Sequence, residues 1–215
     1  VSTILGQPKL EIKDNRFEFG LIPKGGTVVH FFWFKSAGDD TLIIENIKTG
    51  CSCALMPLEQ DWIAPGDSME VGIYWDVKNR INAVGRYPYI FTNANPEPHR
   101  LYLTGSVVKT TDSAQPVGIS PYRFELSSYS DKSIDSINFV INNFSDKKVI
   151  LSEVSYPLKE CELFLPEFVN AKSKTSGYIK VKDEFIDKKF KSSLTIQIND
   201  DKKSRITIPI RRKLY

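Results

Sequence analysis

The sequence has few of the residues from which most active sites are built. It contains 2 histidines, 3 cysteines and 2 methionines among 215 residues. It has no glycine-rich phosphate loop, nucleophile elbow or paired-histidine zinc motif. The acidic pairs at 39–40 and 200–201 fall in turn sequences, where aspartate is favoured for backbone reasons. We therefore predict no catalytic residues and a protein that is not an enzyme.

Long apolar runs and a strong net charge are also missing. The longest apolar stretch, 28–34, has seven residues, whereas a membrane-spanning helix needs about 20. The formal net charge of +3 is too small to imply a polyanion. We thus predict no transmembrane segment and no nucleic-acid partner. No secretory signal opens the chain, and we expect Val1 to begin a trimmed mature form.

An internal repeat organises the chain. Residues 16–19 (RFEF) recur as 123–126 (RFEL), an offset of 107, and the same offset aligns 32–34 with 139–141. The offset falls to 106 where 71–75 meets 177–181, and to 105 where 101–103 meets 206–208. A duplication explains this pattern. It predicts a first domain over 1–107, a linker over 108–118 and a diverged second domain over 119–215.

The hydrophobic period within each copy is two. Met69, Val71, Ile73 and Trp75 alternate with mostly polar or small neighbours, and turn sequences separate such runs. The pattern is typical of an all-β fold, and we predict two tandem immunoglobulin-like β-sandwich domains. The run 28–34 is apolar at both alternating sets of positions. We therefore expect that strand to be central and covered on both faces, with Trp33 and Trp75 in the core.

The first copy resembles a known family. Phe17 to Gly20, the aromatic strand ending at Phe34, Cys51-Ser52-Cys53 and the turn 64–67 (APGD) carry the likeness. It is similar to the bacterial domain-of-unknown-function family numbered fifteen seventy-three, across residues 9–107. That family is related in fold to ASH, major-sperm-protein and chaperone-type immunoglobulin-like domains. The second copy lacks the Cys-x-Cys and the Pro-Gly turn, so the duplication alone links it to the family.

The resemblance implies a location and a general role. Members resemble secreted or envelope-attached proteins of Gram-negative bacteria, especially the Bacteroides group, without an assigned activity. We therefore expect a periplasmic or cell-surface protein, with a lipid anchor before processing as one alternative. The resulting hypothesis is a non-enzymatic binding or scaffold module that offers sheet edges or faces to a partner. That partner is another protein or an envelope glycan, and no cofactor is predicted.

Cys51 and Cys53 form the one cluster of reactive residues. Residues i and i+2 of an extended strand share a face, so the two sulfurs are expected to lie close together. Three alternatives follow: packing as small hydrophobes, a strained and reducible disulfide or thiol-redox site, or a soft-metal site. With the Met56 thioether, the two thiolates would suit Cu(I).

Exposed aromatic residues offer a second candidate site. Tyr87 and Tyr89 alternate along one predicted strand, and Trp62 lies beside a turn. If they face solvent, they can stack on sugars or contact a partner protein. Packing in the core or between domains is the alternative.

Overall fold

The computed structural model describes residues 6–109, 116–129, 132–155 and 159–215, and in these ranges the protein is all-β. The chain divides into two compact units. The first comprises 1–18, 29–75 and 85–104, and the second comprises 19–28, 76–84 and 105–215. These units follow packing rather than the sequence repeat. The domain limits 1–107 and 119–215 stay a prediction, and most of the linker 108–118 lies outside the described ranges.

Eleven strands of the described chain come from the first copy: β1 (Leu10–Ile12), β2 (Arg16–Pro23), β3 (Thr27–Ser36), β4 (Leu42–Lys48), β5 (Ala54–Leu55), β6 (Trp62–Ile63), β7 (Ser68–Asp76), β8 (Asn82–Arg86), β9 (Tyr89–Thr92), β10 (Asn95–Arg100) and β11 (Tyr102–Val108). Two four-stranded sheets run in the orders β1-β3-β7-β5 and β10-β9-β4-β6. The alternating residues Val71, Ile73 and Trp75 are fully buried, as the period predicts.

The second copy supplies β12 (Val117–Ser120), β13 (Phe124–Tyr129), β14 (Lys132–Ile134), β15 (Ser136–Asn143), β16 (Val149–Ser155), β17 (Cys161–Phe164), β18 (Phe168–Val169), β19 (Lys174–Val181), β20 (Phe190–Ile198) and β21 (Arg205–Leu214), with one 3-10 turn at Asp183–Phe185. One sheet has the order β12-β15-β19-β17, and β18-β16-β20-β21 form part of another. Within the same unit β21 also pairs in parallel with β2, Leu21 lying opposite Ile206. Phe124, Phe139 and Leu194 are among the residues of its core.

The two copies repeat one another down to single hydrogen bonds. Ser36 donates from Oγ to the carbonyl of Asp40 at 3.5 Å, and at an offset of 107 Asn143 donates from Nδ2 to the carbonyl of Lys147 at 2.7 Å. The amide of Ile43 donates to Asn93 Oδ1 at 2.9 Å, and that of Ile150 donates to Asn199 Oδ1 at 2.6 Å. The copies therefore serve as internal controls for each other.

The sequence prediction for the strand over 28–34 was only half right. The strand, β3, is central, lying between β1 and β7. Its outer face is open, however: Phe31 is 40% and Trp33 is 54% exposed, while Phe32 and Phe34 point into the core. Trp33 is thus not a core residue. A sandwich sheet needs only its inner face covered, so apolar residues at the outer positions do not require another layer.

No helix in the described part of the chain is long and apolar enough to cross a membrane.

Candidate functional site

Cys51 and Cys53 lie in the loop between β4 and β5, and their sulfurs form a disulfide, with the Cα atoms 5.2 Å apart. Of the three alternatives, the structure has the bonded one. The two ends differ in access, because Cys51 is partly exposed and Cys53 is only 8% exposed. A side-chain hydrogen bond also holds the loop, since Thr49 Oγ1 donates to the carbonyl of Cys51 at 3.0 Å.

Arg86, at the end of β8, approaches this loop. Its Nη2 lies 3.5 Å from Cys53 Sγ, and its guanidinium carbon lies 5.3 Å from the centre of the Trp75 ring. Arg86 also lies beside Gly50, whose φ of +79° favours glycine; a Cβ there would make an ordinary contact, 3.4 Å from Arg86 Nη1. Sequence reasoning missed Arg86, because its distance in sequence from the cysteines gives no signal of contact.

The structure does not test the predicted metal site. Met56 is buried near the end of the same segment, but in the disulfide form neither sulfur is a thiolate ligand. Copper binding by the reduced pair with Met56 stays a prediction. No group of three or more His, Cys, Asp or Glu side chains that could hold a metal ion occurs within the described ranges.

The predicted aromatic residues Tyr87 and Tyr89 come together around an arginine. The guanidinium carbon of Arg100 lies 4.9 Å from the ring centre of Tyr87, 5.2 Å from that of Tyr89 and 5.3 Å from that of Tyr102. The Arg16 guanidinium carbon lies 4.1 Å from the Tyr102 ring centre. We call these five residues the tyrosine–arginine surface. Such contacts between cations and ring faces contribute about 0.5–1 kcal/mol each at exposed sites.

The tyrosine–arginine surface is open and positively charged. Tyr87 and Tyr89 are 40% and 38% exposed, and both arginines are exposed. Neither guanidinium forms an ion pair with a carboxylate of the described residues. Burial lowers the pKa of the adjacent His99, which is therefore neutral at pH 7 and adds no charge. The surface thus presents two cations among aromatic rings, and neither has a carboxylate partner within the described ranges.

Trp62 is separate from this surface. It pairs across strands with Ile43 near the start of β4, whereas Tyr89 pairs with Lys48 at the other end. Five residues along a strand correspond to about 16 Å. The second copy repeats the Trp62–Ile43 pair as Phe168 and Ile150, which are also cross-strand neighbours and also exposed. An aromatic residue here is therefore a feature of the shared fold.

Among the described residues of the second copy, the carboxyls whose pKa is shifted do not form an acid–base pair. Burial raises the pKa of the Glu153 and Glu160 carboxyls, but they lie on different segments, on β16 and just before β17. Burial likewise raises the pKa of the Cys161 thiol to about 12, so it stays protonated. Asn143, which heads an apparent glycosylation sequence, is buried and donates to three backbone carbonyls.

The first copy of the chain matches a known protein family. In its described ranges the chain is all-β, as predicted. Residues 10–107 match the family model described as protein of unknown function, DUF1573, which confirms the resemblance. No curated protein matches the chain.

Several solved structures are similar to the chain at low identity. A protein of unknown function from Porphyromonas gingivalis W83 is 8% identical, with 94% of this chain and 98% of that chain covered and a TM-score of 0.38. The ASH/PapD-like domain of human CEP192 is 10% identical over 47% of this chain and 87% of that chain, with a TM-score of 0.40. The E. coli chaperone DraB is 9% identical over 97% of each chain, with a TM-score of 0.37.

Proposed function

We propose that this protein is a non-enzymatic binding module of the bacterial cell envelope. In this proposal the tyrosine–arginine surface of the first copy holds an acidic segment of a partner protein. The observation that carries it is the pair of exposed guanidinium groups, Arg16 and Arg100, which contact three tyrosine rings and no carboxylate in the described ranges.

The residue types favour a protein partner. Tyrosine and arginine are enriched at protein–protein interfaces, because each buries a large area at a modest cost in side-chain entropy and keeps a polar group for hydrogen bonding. Stacking on Tyr87, Tyr89 and Tyr102 restricts the Arg100 guanidinium before any partner arrives. Such preorganisation lowers the entropy lost on binding. Unpaired positive charge selects carboxylates on the partner.

The second copy shows that the fold does not require these aromatic residues. The repeat places Ser193, Thr195 and Thr207 at the positions of Tyr87, Tyr89 and Tyr102. All three are buried, and Thr195 and Thr207 share a hydrogen bond of 2.8 Å. The equivalent positions are thus filled by small buried polar residues in the second copy, and in the first by two exposed tyrosines, Tyr87 and Tyr89, and the half-buried Tyr102. This difference supports a binding role for the first copy.

Side-chain contacts on the tyrosine–arginine surface suit the partner better than pairing with the neighbouring sheet edge. The edge strand β10 contains Pro96 and Pro98, which lack the amide donors needed to pair with an added strand. Its pairing with β9 also shifts register between Asn95 and His99. Strand addition at this edge is therefore disfavoured, which leaves side-chain contacts on the tyrosine–arginine surface.

The disulfide supports the location in the envelope. Disulfides of any role form and persist most readily in oxidising compartments such as the periplasm and the cell surface. The Cys51–Cys53 bond is consistent with such a compartment.

The test compares three purified proteins: the wild type, Arg100→Gln with Tyr89→Ser, and a Trp62→Ser control. Trp62 is exposed and aromatic but lies outside the surface, so this control separates a specific contact from general stickiness. Each protein is used to capture partners from an envelope extract. Any protein retained by the wild type is then purified, and its affinity for all three is measured at several salt concentrations.

We expect the double variant to lose at least roughly tenfold in affinity, since hot-spot truncations cost about 2 kcal/mol or more. The control should bind as the wild type does, and added salt should weaken the wild-type complex. Equal affinity for all three proteins would contradict the proposal. If neutral glycans bind instead of a protein, with the same dependence on Tyr89, the partner is a carbohydrate and not an acidic protein segment.

A further inference from the structure

The Cys51–Cys53 disulfide does little for the stability of the fold. In the chain-entropy account a disulfide stabilises by restricting the unfolded chain, and the effect grows with the length of the loop that it closes. This one joins residues separated by two positions. It therefore restricts very little of the unfolded chain, and its retention needs another explanation.

The second copy forms the equivalent strand pairing without a disulfide. In the first copy Ala54 of β5 lies opposite Trp75 of β7, and in the second Cys161 of β17 lies opposite Val181 of β19. The repeat places residues 158–160 where the first copy has Cys51-Ser52-Cys53. The strand that follows the loop is thus formed in both copies. The disulfide is an addition to the fold and not a requirement of it.

The two sulfurs occupy different environments. Cys51 is partly exposed and Ser52 is exposed, so an incoming group can reach Cys51. Cys53 is buried and has the Arg86 guanidinium 3.5 Å from its sulfur. Burial by itself disfavours a thiolate, whereas a nearby guanidinium stabilises it and offsets that cost. Exchange is faster when the departing thiol has a low pKa, so the geometry favours attack at Cys51 and departure of Cys53.

We propose that Cys51–Cys53 is a thiol–disulfide exchange site whose substrate is a dithiol of a polypeptide. A substrate thiolate attacks Cys51 Sγ, forming a substrate–Cys51 disulfide and breaking the Cys51–Cys53 bond. Cys53 leaves as a thiolate beside Arg86. The second substrate thiol loses its proton and attacks the first substrate sulfur, the one bonded to Cys51. This attack breaks the mixed disulfide and releases Cys51 as a thiolate. The substrate ends as a disulfide, and the two protons are shared between solvent and the reduced cysteines.

Arg86 acts here as a positioning residue for the leaving thiolate. Its guanidinium lies 3.5 Å from Cys53 Sγ and also beside Gly50 of the same loop. At an offset of 106 the second copy has the buried Ser192 in its place. Arginine and disulfide thus occur together in the copy that has the site and are both missing from the copy that does not. The site is distinct from the tyrosine–arginine surface, so it can fail or succeed independently of the proposed function.

The first experiment asks which sulfur is attacked. Cys53→Ser and Cys51→Ser variants of the full chain each keep one cysteine of the pair, and each is mixed with a peptide that carries an internal disulfide. We expect the Cys53→Ser variant to form a mixed disulfide, detected by mass spectrometry, at least roughly tenfold faster, because its remaining thiol at Cys51 is accessible. Equal rates, or faster reaction at Cys53, would overturn the assigned direction of attack.

The second experiment tests the role of Arg86. The rate of disulfide reduction is measured in the wild type, Arg86→Met, Arg86→Lys and an Arg80→Met control. Dithiothreitol and a reduced two-cysteine peptide are used as reductants in separate reactions. We expect reduction of Arg86→Met to be slower by roughly threefold to tenfold, since its leaving thiol has a higher pKa. Arg86→Lys should recover part of the rate. Arg80→Met should match the wild type, since Arg80 is an exposed arginine six positions before Arg86 in the chain.

A pH profile distinguishes this role from a merely structural one. The thiolate of the reduced wild type should appear at lower pH than that of reduced Arg86→Met, because the guanidinium stabilises the anion. Coincident profiles together with equal reduction rates would overturn the proposal. If Arg86→Met fails to fold, the comparison of the two cysteine variants still decides the direction of attack.

Discussion

Arg212 shows how one buried charge can organise a unit. The alternation Ile206, Ile208, Ile210 on β21 continues to position 212, so the arginine occupies an inward position and is 2% exposed. Its Nη2 lies 2.6 Å from Asp135 Oδ1, and its guanidinium donates to the carbonyls of Ile134 and Ile186. A buried charge is tolerated only when it is paired and hydrogen-bonded in this way. Arg212 therefore ties two loops of the second unit to β21.

Arg212→Met should destabilise the protein by about 2–4 kcal/mol, because it removes the charge partner of Asp135 and the donor to the part-buried carbonyls of Ile134 and Ile186. The measurement is urea-induced unfolding followed by circular dichroism. Arg211→Met is the matched control, since Arg211 is the exposed neighbour on the same strand, and its effect should stay within about 0.5 kcal/mol. Similar losses in both variants would mean that the contacts of Arg212 add nothing to stability.

The sequence pattern predicts the path of Arg212 but not its role. Period-two alternation identifies position 212 as inward, yet an arginine at the end of an apolar run is ordinarily taken as the point where burial stops. Its partners Asp135 and Ile186 are far away in sequence, so nothing local indicates that the charge is compensated. The local sequence pattern cannot predict the environment of a residue when distant segments of the chain form that environment.

Strand β3 was also predicted only in part from the sequence. Its position inside a sheet followed from its apolar character, but coverage of its outer face did not. Alternation separates the two faces only when one of them is polar, and here both carry large apolar side chains. In the second copy the outward positions that match Phe31 and Trp33 are Asn138 and Val140. The inner positions, Phe32 and Phe139, are apolar in both copies because the core demands it.

The open face of β3 leads to a stability prediction. Trp33→Ser should change the free energy of unfolding by less than about 1 kcal/mol, because its ring is more than half exposed. Trp75→Ser should cost about 3–5 kcal/mol, because that ring is fully buried. Thermal or urea unfolding of both variants checks the pair. A large loss for Trp33→Ser would show that its ring is covered in solution.

At the scale of the whole molecule, the duplication explains which features were predictable. The inner positions repeat at offsets of 107, 106 and 105, so the sandwich architecture could be predicted from the sequence alone. The chemistry of the first copy could not, since its parts are brought together by folding. Arg16, Tyr87, Arg100 and Tyr102 come from four separate strands or loops, and Arg86 meets Cys53 across 33 positions. The Cys-x-Cys motif was visible because its two cysteines are only two positions apart in the sequence.

A count of reactive thiols tests the difference between the two copies, since the first has the bonded pair and the second has the free Cys161. Native protein without reductant should show no thiol that reacts readily near pH 7, because Cys51 and Cys53 are bonded and burial raises the pKa of the Cys161 thiol to about 12. Unfolding in denaturant without reductant should expose one thiol, Cys161. Unfolding after reduction should expose all 3 cysteines of the sequence. A colorimetric thiol assay on protein purified without reductant measures each count. Three thiols before reduction would mean that the first copy carries a free pair, which removes the exchange site and returns Cys51, Cys53 and Met56 to consideration as copper ligands.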